Sequence, residues 1–426
     1  MSNKAGVKKV KGAETAGLVP RLRFPEFRSK AAWEVKALAD ACSKICQGGT
    51  PDTSKPEYWN GEIQWLTPAE MGRRETPYVY RSVRGITVSG LKNCSSDLLP
   101  VDSVIISTRA PIGHLAINKS KMAINQGCKG LIPGSDTVGH FLYYILYGSK
   151  QALNDIGAGN TFKEITGSSL GRFKIALPEQ KEQQKIADCL SSLDEAITLE
   201  SQKLAALKVH KKGLMQQLFP AEGETVPKLR FPEFRGAGEW EAQSIGKTCE
   251  YYSGGTPATA NKRFYGGRIP FIRSAEIDAY KTELFLTDEG LSNSSAKMVK
   301  KGDILIALYG ANSGDVALSK IGGAINQAIL CLRHTTSNAF VFQYLLHKKT
   351  WIISTYLQGG QGNLSGEIVK SITLYYPSAG EQQKIADCLS SLDDIITAHA
   401  LKLDMLKTHK KGLMQQLFPT LDEKQE

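Results

Sequence analysis

EQQKIADCLSSLDEAIT, residues 182–198, returns as EQQKIADCLSSLDDIIT at residues 381–397. The copies differ only at Glu195/Asp394 and Ala196/Ile395, and each runs on at the same offset into HKKGLMQQLFP, residues 210–220 and 409–419. Between the copies the sequence is far less alike. One polypeptide thus carries two modules with a fixed frame and divergent contents, which suits a protein that holds two different targets with one repeated geometry.

The repeated stretch reads as a long helix. Ile186, Leu190, Leu193, Ile197, Leu204, Leu207, Leu214 and Leu218 fall at alternating steps of four and three, with Glu200 and Lys211 at the two missing seam positions. Ile385, Leu389, Leu392, Ile396, Leu403, Leu406, Leu413 and Leu417 repeat the stripe, broken by His399 and Lys410. A 3.5-residue period over about five heptads is a coiled-coil pattern, and about 38 helical residues span about 57 Å. Stripes that packed only on their own globules would have to fit two dissimilar surfaces with nearly identical residues, so the helices are expected to pair. Both orientations are reachable, because the chain builds a whole globule between the helices. Antiparallel pairing would put the globules at opposite ends, as approximate two-fold mates.

Each module opens on one phrase, VPRLRFPEFR at residues 19–28 and VPKLRFPEFR at 226–235, followed at equal distance by Trp33 and Trp240. Two prolines among alternating Phe and Arg predict an extended opening segment. GGTP turns follow at 48–51 and 254–257, then short apolar strands at 104–107 and 304–307, then AINQ at 123–126 and 324–327. Helices are predicted at 138–146 and 340–347, and Gly/Asn-rich turns at 157–160 and 359–363 precede the long helices. The fold class is α+β: two mixed α/β globules, each followed by a long helix. The segments are a basic tail at 1–17, a globule at 18–180, a helix at 181–220, a second globule at 221–380, a second helix at 381–419 and a tail at 420–426.

Bulk properties narrow the class. No apolar run in the 426 residues approaches the roughly 18 that a membrane span needs, and the first residues lack a signal peptide's apolar core. Eight scattered cysteines with no CxxC pair fit free thiols in a reducing cytoplasm; Cys42 and Cys46 lack partners at zinc spacing. The net charge of +11 makes a polyanion a reasonable partner. Residues 1–220 hold 30 Lys and Arg against 20 Asp and Glu, and the remainder 23 against 22, so the excess lies almost wholly in the first half. Part of it is Lys4, Lys8, Lys9 and Lys11 in the tail, which reads as a solvated arm.

Catalytic apparatus is not evident. Gly246-Lys247-Thr248 resembles the end of a phosphate loop, but Glu241 stands where its first glycine belongs. There is no HExxH and no NPPF-type tetrapeptide for holding a flipped adenine. His210 and His409 recur beside Lys-Lys on the helices, and the acidic pairs Asp194-Glu195 and Asp393-Asp394 are helix neighbours that do not face one another.

Binding chemistry remains. Arg and Lys suit phosphate or guanine, Asn and Gln suit adenine edges, and aromatic rings accompany them at predicted loops. The candidate DNA contacts are Thr50, Lys55, Tyr58, Trp59, Arg73, Arg74, Arg109, Lys129, Asn160 and Lys163 in the first module. In the second they are Thr256, Lys262, Arg263, Tyr265, Arg268, Arg273, Tyr309, Asn312, Gln361 and Asn363. Asn125-Gln126 and Asn326-Gln327 are shared, which favours a common structural role, since base-reading residues differ where targets differ. The same logic assigns the GGTP turns to scaffold or phosphate contact.

Taken in order, RFPEFR with a following Trp, GGTP, the strand after Asp, AINQ, the Gly-rich turn, PxxxEQQKIA and HKKGLMQQLFP, twice in one chain, resemble the specificity subunits of type I restriction-modification systems. The resemblance runs from Val19 to Pro419. Asp102 lacks the Gly that precedes Asp303, and the first Gly-rich turn runs on as NTFKEITG where the second has NLSG, which bears on loop conformation only.

The resemblance implies a non-catalytic subunit in which each globule is a target recognition domain for one half of a split, asymmetric site on double-stranded DNA. The helices would form an antiparallel coiled coil that sets the spacer. It further implies two modification subunits, which bind S-adenosylmethionine and methylate adenine, and in some systems restriction subunits that use ATP and Mg. No cofactor is expected in this chain itself. A coiled-coil adaptor joining two proteins without DNA, and a self-contained DNA-modifying enzyme, are the competing readings; the lack of any cofactor or metal motif opposes the second.

Overall fold

The computed structural model describes residues 18–74, 76–109, 111–158, 164–357 and 363–420. The chain divides into two compact units, residues 1–202 with 401–426 and residues 203–400. The division falls inside both long helices, α1 (Gln180–Leu218) and α2 (Ala379–Leu417). Each unit therefore holds one globule, the half-helix that leaves it and the complementary half of the other helix.

In the first unit, Glu34–Ala37 pairs antiparallel with Lys174–Leu177, bringing the opening segment to the foot of α1. A five-stranded sheet runs in the order Cys42–Gln47, Cys128–Pro133, Val104–Ser107, Leu115–Asn118, Tyr78–Val79, and a three-stranded sheet in the order Gly85–Ile86, Trp59–Leu66, Met122–Ile124. The second unit repeats the plan: Glu241–Ser244 pairs with Thr373–Tyr376, beside two four-stranded sheets. One is ordered Cys249–Ser253, Ile329–His334, Ile304–Ala307, Val316–Leu318, the other Leu284–Leu286, Tyr265–Ile272, Gly323–Ile325, Lys297–Val299. The apolar runs after Asp102 and Asp303 are fully buried strands, Val104–Ser107 and Ile304–Ala307, in the positions read from the sequence.

The strands Trp59–Leu66 and Tyr265–Ile272 are bulged at one equivalent place, where register shifts between Trp59 and Ile63 and between Tyr265 and Ile269. Asn60 and Gly266 supply the left-handed φ there, 60° and 80°, as residue types that tolerate it.

The predicted helix at 138–146 is Gly139–Gly148, followed by a separate helix Lys150–Ala158. Its counterpart is one continuous helix, Asn338–Tyr356, longer than the expected 340–347. Gly148-Ser149 interrupts the first, with Ser149 donating from Oγ to the Ile145 carbonyl at 2.8 Å. The second has His347-Lys348-Lys349 at that place and continues, with Ile352 buried in the core.

Within the first unit α1 and α2 run antiparallel: Asp194 meets Lys410 at 2.5 Å and Glu200 meets Lys402 at 2.9 Å, so numbers rise on one helix as they fall on the other. Within the second unit Lys211 lies 2.6 Å from Asp393, and Met215 and Leu218 share a core with Ile385 and Leu389, which gives the same direction. Ile186, Leu190, Ile197, Leu218, Ile385, Leu389 and Leu417 of the stripe are buried. Leu193, Leu204, Leu207, Leu214, Leu392, Ile396, Leu403, Leu406 and Leu413 are half-buried. Met215 and Met414, one residue beyond the stripe, are buried as well.

The repeated opening phrase is a clamp. Arg23 donates to both carboxylate oxygens of Glu182, at 2.8 and 2.7 Å, and to the carbonyls of Lys30 and Ala31. Arg230 does the same to Glu381, at 2.8 and 2.5 Å, and to the carbonyls of Ala237 and Gly238. Both pairs are buried, and removing one partner of such a pair costs about 3–5 kcal/mol. Backbone bonds from Leu22 to Gln416 and from Leu229 to Gln217, each 2.9 Å, tie each opening segment to the end of a long helix.

Candidate nucleic-acid interface

Where the GGTP turn meets the AINQ segment, backbones pack too closely for side chains. A Cβ on Gly48 would lie 2.0 Å from the Asn125 carbonyl oxygen, and one on Gly254 would lie 1.8 Å from that of Ile325. The contact brings Thr50 to Gln126 and Thr256 to Gln327, whose side chains hydrogen-bond in both modules. Asn125 Oδ1 accepts from Gly127 N at 2.9 Å, and Asn326 Oδ1 from Ala328 N at 3.2 Å. The shared residues therefore build one local framework twice.

Around this framework the modules diverge. In the first, Tyr58 and Trp59 are buried, although the sequence placed them among loop contacts. Trp59 donates from its indole to the Asp52 carbonyl at 3.1 Å and packs edge-on against Trp65, with ring centroids 5.1 Å apart. The Arg84 guanidinium covers Trp59 at 3.7 Å, a contact that sequence reading missed. No local sequence signal announces it, because Arg84 lies 25 residues from Trp59 along the chain and only strand pairing brings them together. Lys55 is exposed beside the Tyr58 ring, 5.3 Å from its centroid. Arg73 is exposed, while Arg74 donates to the Tyr78 carbonyl at 2.7 Å.

Arg109 pairs with Glu164 at 3.0 Å. Lys129 lies in a strand, buried, with its ammonium 2.6 Å from Gln47 Oε1; burial away from water holds its pKa below the usual lysine range. Asn160 and Lys163 fall outside the described residues.

In the second module Thr256, Lys262, Tyr265 and Arg273 come together along one groove of about 440 Å³, with Thr259, Phe271, Leu284 and Asn326. Aromatic and aliphatic side chains line it together with polar and cationic ones, a usual make-up of a recognition site. Arg273 is fixed by two carboxylates, Glu276 at 2.9 Å and Glu283 at 2.5 Å, whose hydrogen bonds raise its pKa further. Lys262 and Arg263 are exposed, and Arg268 makes a 3.4 Å solvent-facing contact with Asp288. Tyr309 and Asn363 are exposed and Asn312 half-buried, away from the residues that line the groove. Gln361 lies outside the described residues.

The other chemistry is structural. Two aspartates of the helix repeat are cross-helix partners: Asp194 takes Tyr144 Oη at 2.7 Å and Lys410 at 2.5 Å, and Asp393 takes Gln343 Nε2 at 2.7 Å and Lys211 at 2.6 Å. Among the described residues no group of His, Cys, Asp and Glu could hold a metal ion, and no helix is long and apolar enough to cross a membrane. The cysteines are free thiols; burial pushes Cys42 up to about 12 and Cys46 up to about 11, which leaves them unreactive.

Residues 30–209 and 237–407 match the family model described as the type I restriction modification DNA specificity domain. The chain is 32% identical over 287 residues to the type I restriction enzyme MjaIX specificity subunit of Methanocaldococcus jannaschii, covering 65% of this chain and 66% of that one. It is 26% identical over 414 residues to the putative type I restriction enzyme MjaX specificity subunit of the same organism, covering 91% and 92%. In fold it is similar to the S subunit of a type I restriction-modification system from M. genitalium, with TM-score 0.66 at 14% identity, covering 95% of this chain and all of that one.

Proposed function

The chain belongs to the type I restriction-modification DNA specificity family, and from that premise we propose that each globule binds one half of a bipartite, asymmetric target on double-stranded DNA. The chain is a specificity subunit, the non-catalytic member of its system. In the proposed reading the long helices set the unread spacer, and two weak half-site interactions become one tight one through effective concentration.

The observation that carries this reading is the contrast between frame and contents. The clamp, the GGTP–AINQ contact and the cross-helix ion pairs recur in both units. Beside them, Trp59, Trp65 and Arg84 pack together in one module where the other has an open groove with Tyr265, Phe271 and Leu284. One scaffold with two different reading faces suits two different half-sequences.

The helices also carry the proposed docking surfaces for two modification subunits. Several exposed positions in the middle of the repeat have drifted: Leu199/Ala398, Gln202/Leu401, Ala206/Met405 and Val209/Thr408. Exposed positions toward the ends include identical pairs: Gln184/Gln383, Asp188/Asp387, Ser192/Ser391, Lys212/Lys411 and Gln216/Gln415. Each unit combines one N-terminal set with one C-terminal set from the opposite helix, so each presents the same composite face to one copy of the same partner. S-adenosylmethionine would reside on those subunits, and ATP and Mg on restriction subunits where the system has them.

Methylated-base sequencing of DNA from cells expressing the chain with its modification subunit tests the reading. The expected result is a bipartite methylated-adenine motif, one half of which changes when one globule is exchanged. No motif from a folded, assembled complex would favour an adaptor without DNA reading.

A further inference from the structure

We propose that the side-chain amides of Gln126 and Gln327 each donate a hydrogen bond to a backbone phosphate of the duplex, one in each half-site, and so position both modules independently of base sequence. The inference rests on the DNA-reading function above and assigns a task to residues that this function leaves unused.

In the first module the available protons fix the orientation of Gln126. Gly127 N donates to Asn125 Oδ1 at 2.9 Å, so the Asn125 amide nitrogen faces the other way, where it donates to Thr50 Oγ1 at 2.9 Å and to Gln126 Oε1 at 3.1 Å. With that lone pair of Thr50 used, its hydroxyl proton goes to Gln126. The atom of Gln126 that receives both must be the carbonyl oxygen, since an amide nitrogen accepts neither. Nε2 therefore points away, and among the described residues it has no hydrogen-bond partner, on a side chain that is exposed. The second module repeats part of this arrangement, without the Asn amide contacts: Ala328 N holds Asn326 at 3.2 Å, and Thr256 meets the exposed side chain of Gln327 at 2.5 Å.

An exposed glutamine needs no tether to be solvated, yet each of these two is held by the threonine of its GGTP turn, and the Asn125 amide turns the Gln126 donor outward. What both donors share must be common to both half-sites. The reading faces differ, so the base sequences differ, and the sugar-phosphate backbone is what two unlike half-sites have in common. A neutral amide meeting an anionic phosphate oxygen makes a charge-assisted bond. A base edge is the competing acceptor, and it would serve only one sequence.

The test uses the full chain assembled with its modification subunits. Duplex affinity is measured for Gln126→Met, Gln327→Met and Gln126→Glu over a salt series, and the methylated motif is sequenced for each. Loss of a hydrogen bond to a charged acceptor predicts about a tenfold weakening per Gln→Met change, more for Gln→Glu, which turns an acceptor and a charge toward the phosphate. The motif stays the same, and the salt slope of Gln→Met stays that of wild type, because no cation is removed. Thr50→Val, which frees the amide to turn, is expected to give a smaller loss. Thermal melting equal to wild type excludes misfolding.

On duplexes with one neutral methylphosphonate, one position per half-site should weaken wild type without weakening the matching Gln→Met variant further. Wild-type affinity in the Gln→Met variants overturns the proposal, as does a changed base in one half of the motif, which would make the residue a base reader. Absence of duplex binding by the wild-type assembly would instead bring down the DNA-reading function itself, and this proposal with it.

Discussion

Lys211 of α1 places its ammonium 2.6 Å from Asp393 Oδ1 of α2. The equivalent residues, Lys410 and Asp194, meet at 2.5 Å with the helices exchanged, so one contact is built twice. Each lysine occupies a seam position where the apolar stripe fails, and each aspartate takes a second donor from its own globule, Tyr144 in one case and Gln343 in the other. A charged residue at an apolar seam costs stability and fixes register, because any slip strands it.

The two pairs differ in burial, which predicts unequal mutational effects. Side-chain exposure is 13% and 11% for Lys410 and Asp194, but 10% and 39% for Lys211 and Asp393. Lys410→Met leaves a buried carboxylate with Tyr144 and is expected to cost about 3 kcal/mol. Lys211→Met leaves Asp393 open to water and should cost about 1 kcal/mol. Denaturant melts of the two variants check the ranking; equal losses would mean that water reaches Asp194 as easily as Asp393.

Acid sensitivity should begin near neutrality. His334 stacks on Tyr376 with ring centroids 5.2 Å apart, and its Nδ1 accepts from the backbone of Thr336 and Ser337 at 3.2 and 3.0 Å. Burial holds its pKa below the usual histidine value. With the folded pKa depressed, the unfolded chain binds the proton more tightly, so stability is fully present above about pH 6.5 and is lost as pH falls through the folded value. Thermal melts between pH 7.5 and 5.5 should fall for wild type. His334→Asn, which keeps an acceptor but cannot titrate, should make that part of the profile shallower, the remainder coming from His114, His140 and His347, whose pKa values burial also lowers.

The frame was legible in the sequence and the reading faces were not. Period and repetition sufficed for α1 and α2, and the short apolar runs sufficed for Val104–Ser107 and Ile304–Ala307, because those signals are local. Arg23 and Glu182 are 159 residues apart, and no local pattern announces that they clamp the opening segment. Tyr58 and Trp59 looked like loop aromatics beside a lysine, yet a bulged strand and Arg84 fold them inward. Lys129 is read as a surface cation by type, but a strand carries it inside. Arg273 counts as positive in the composition, while Glu276 and Glu283 hold it in place.

Cations already held by carboxylates release few counterions on binding and add little to salt dependence. The first half of the chain carries +10 and the second +1, and in the second module Arg273 and Arg333 are already paired with carboxylates. Neutralising exposed cations of the first globule, Lys55→Gln with Arg73→Gln, should therefore reduce the salt slope of duplex binding by about two. Arg273→Gln should leave the slope nearly unchanged. A titration of affinity against salt for the assembled complex measures both; an equal reduction would show that Arg273 exchanges its carboxylates for phosphate on binding.

Helix length gives the sharpest test of the spacer. Removing one heptad from each helix, residues 201–207 and 400–406, deletes matched seam leucines and keeps Asp194 facing Lys410 and Lys211 facing Asp393 in phase. Seven residues of helix are about 10 Å, close to three base steps at about 3.4 Å each. A whole heptad preserves the seam, whereas a deletion of other length would turn the stripe out of its face. The methylated motif of the deletion variant should keep both half-sequences and lose about three positions from the gap between them. An unchanged gap would mean that the spacing is set by the globules and not by α1 and α2, and lost methylation from a folded complex would mean that the modification subunits measure the helices too.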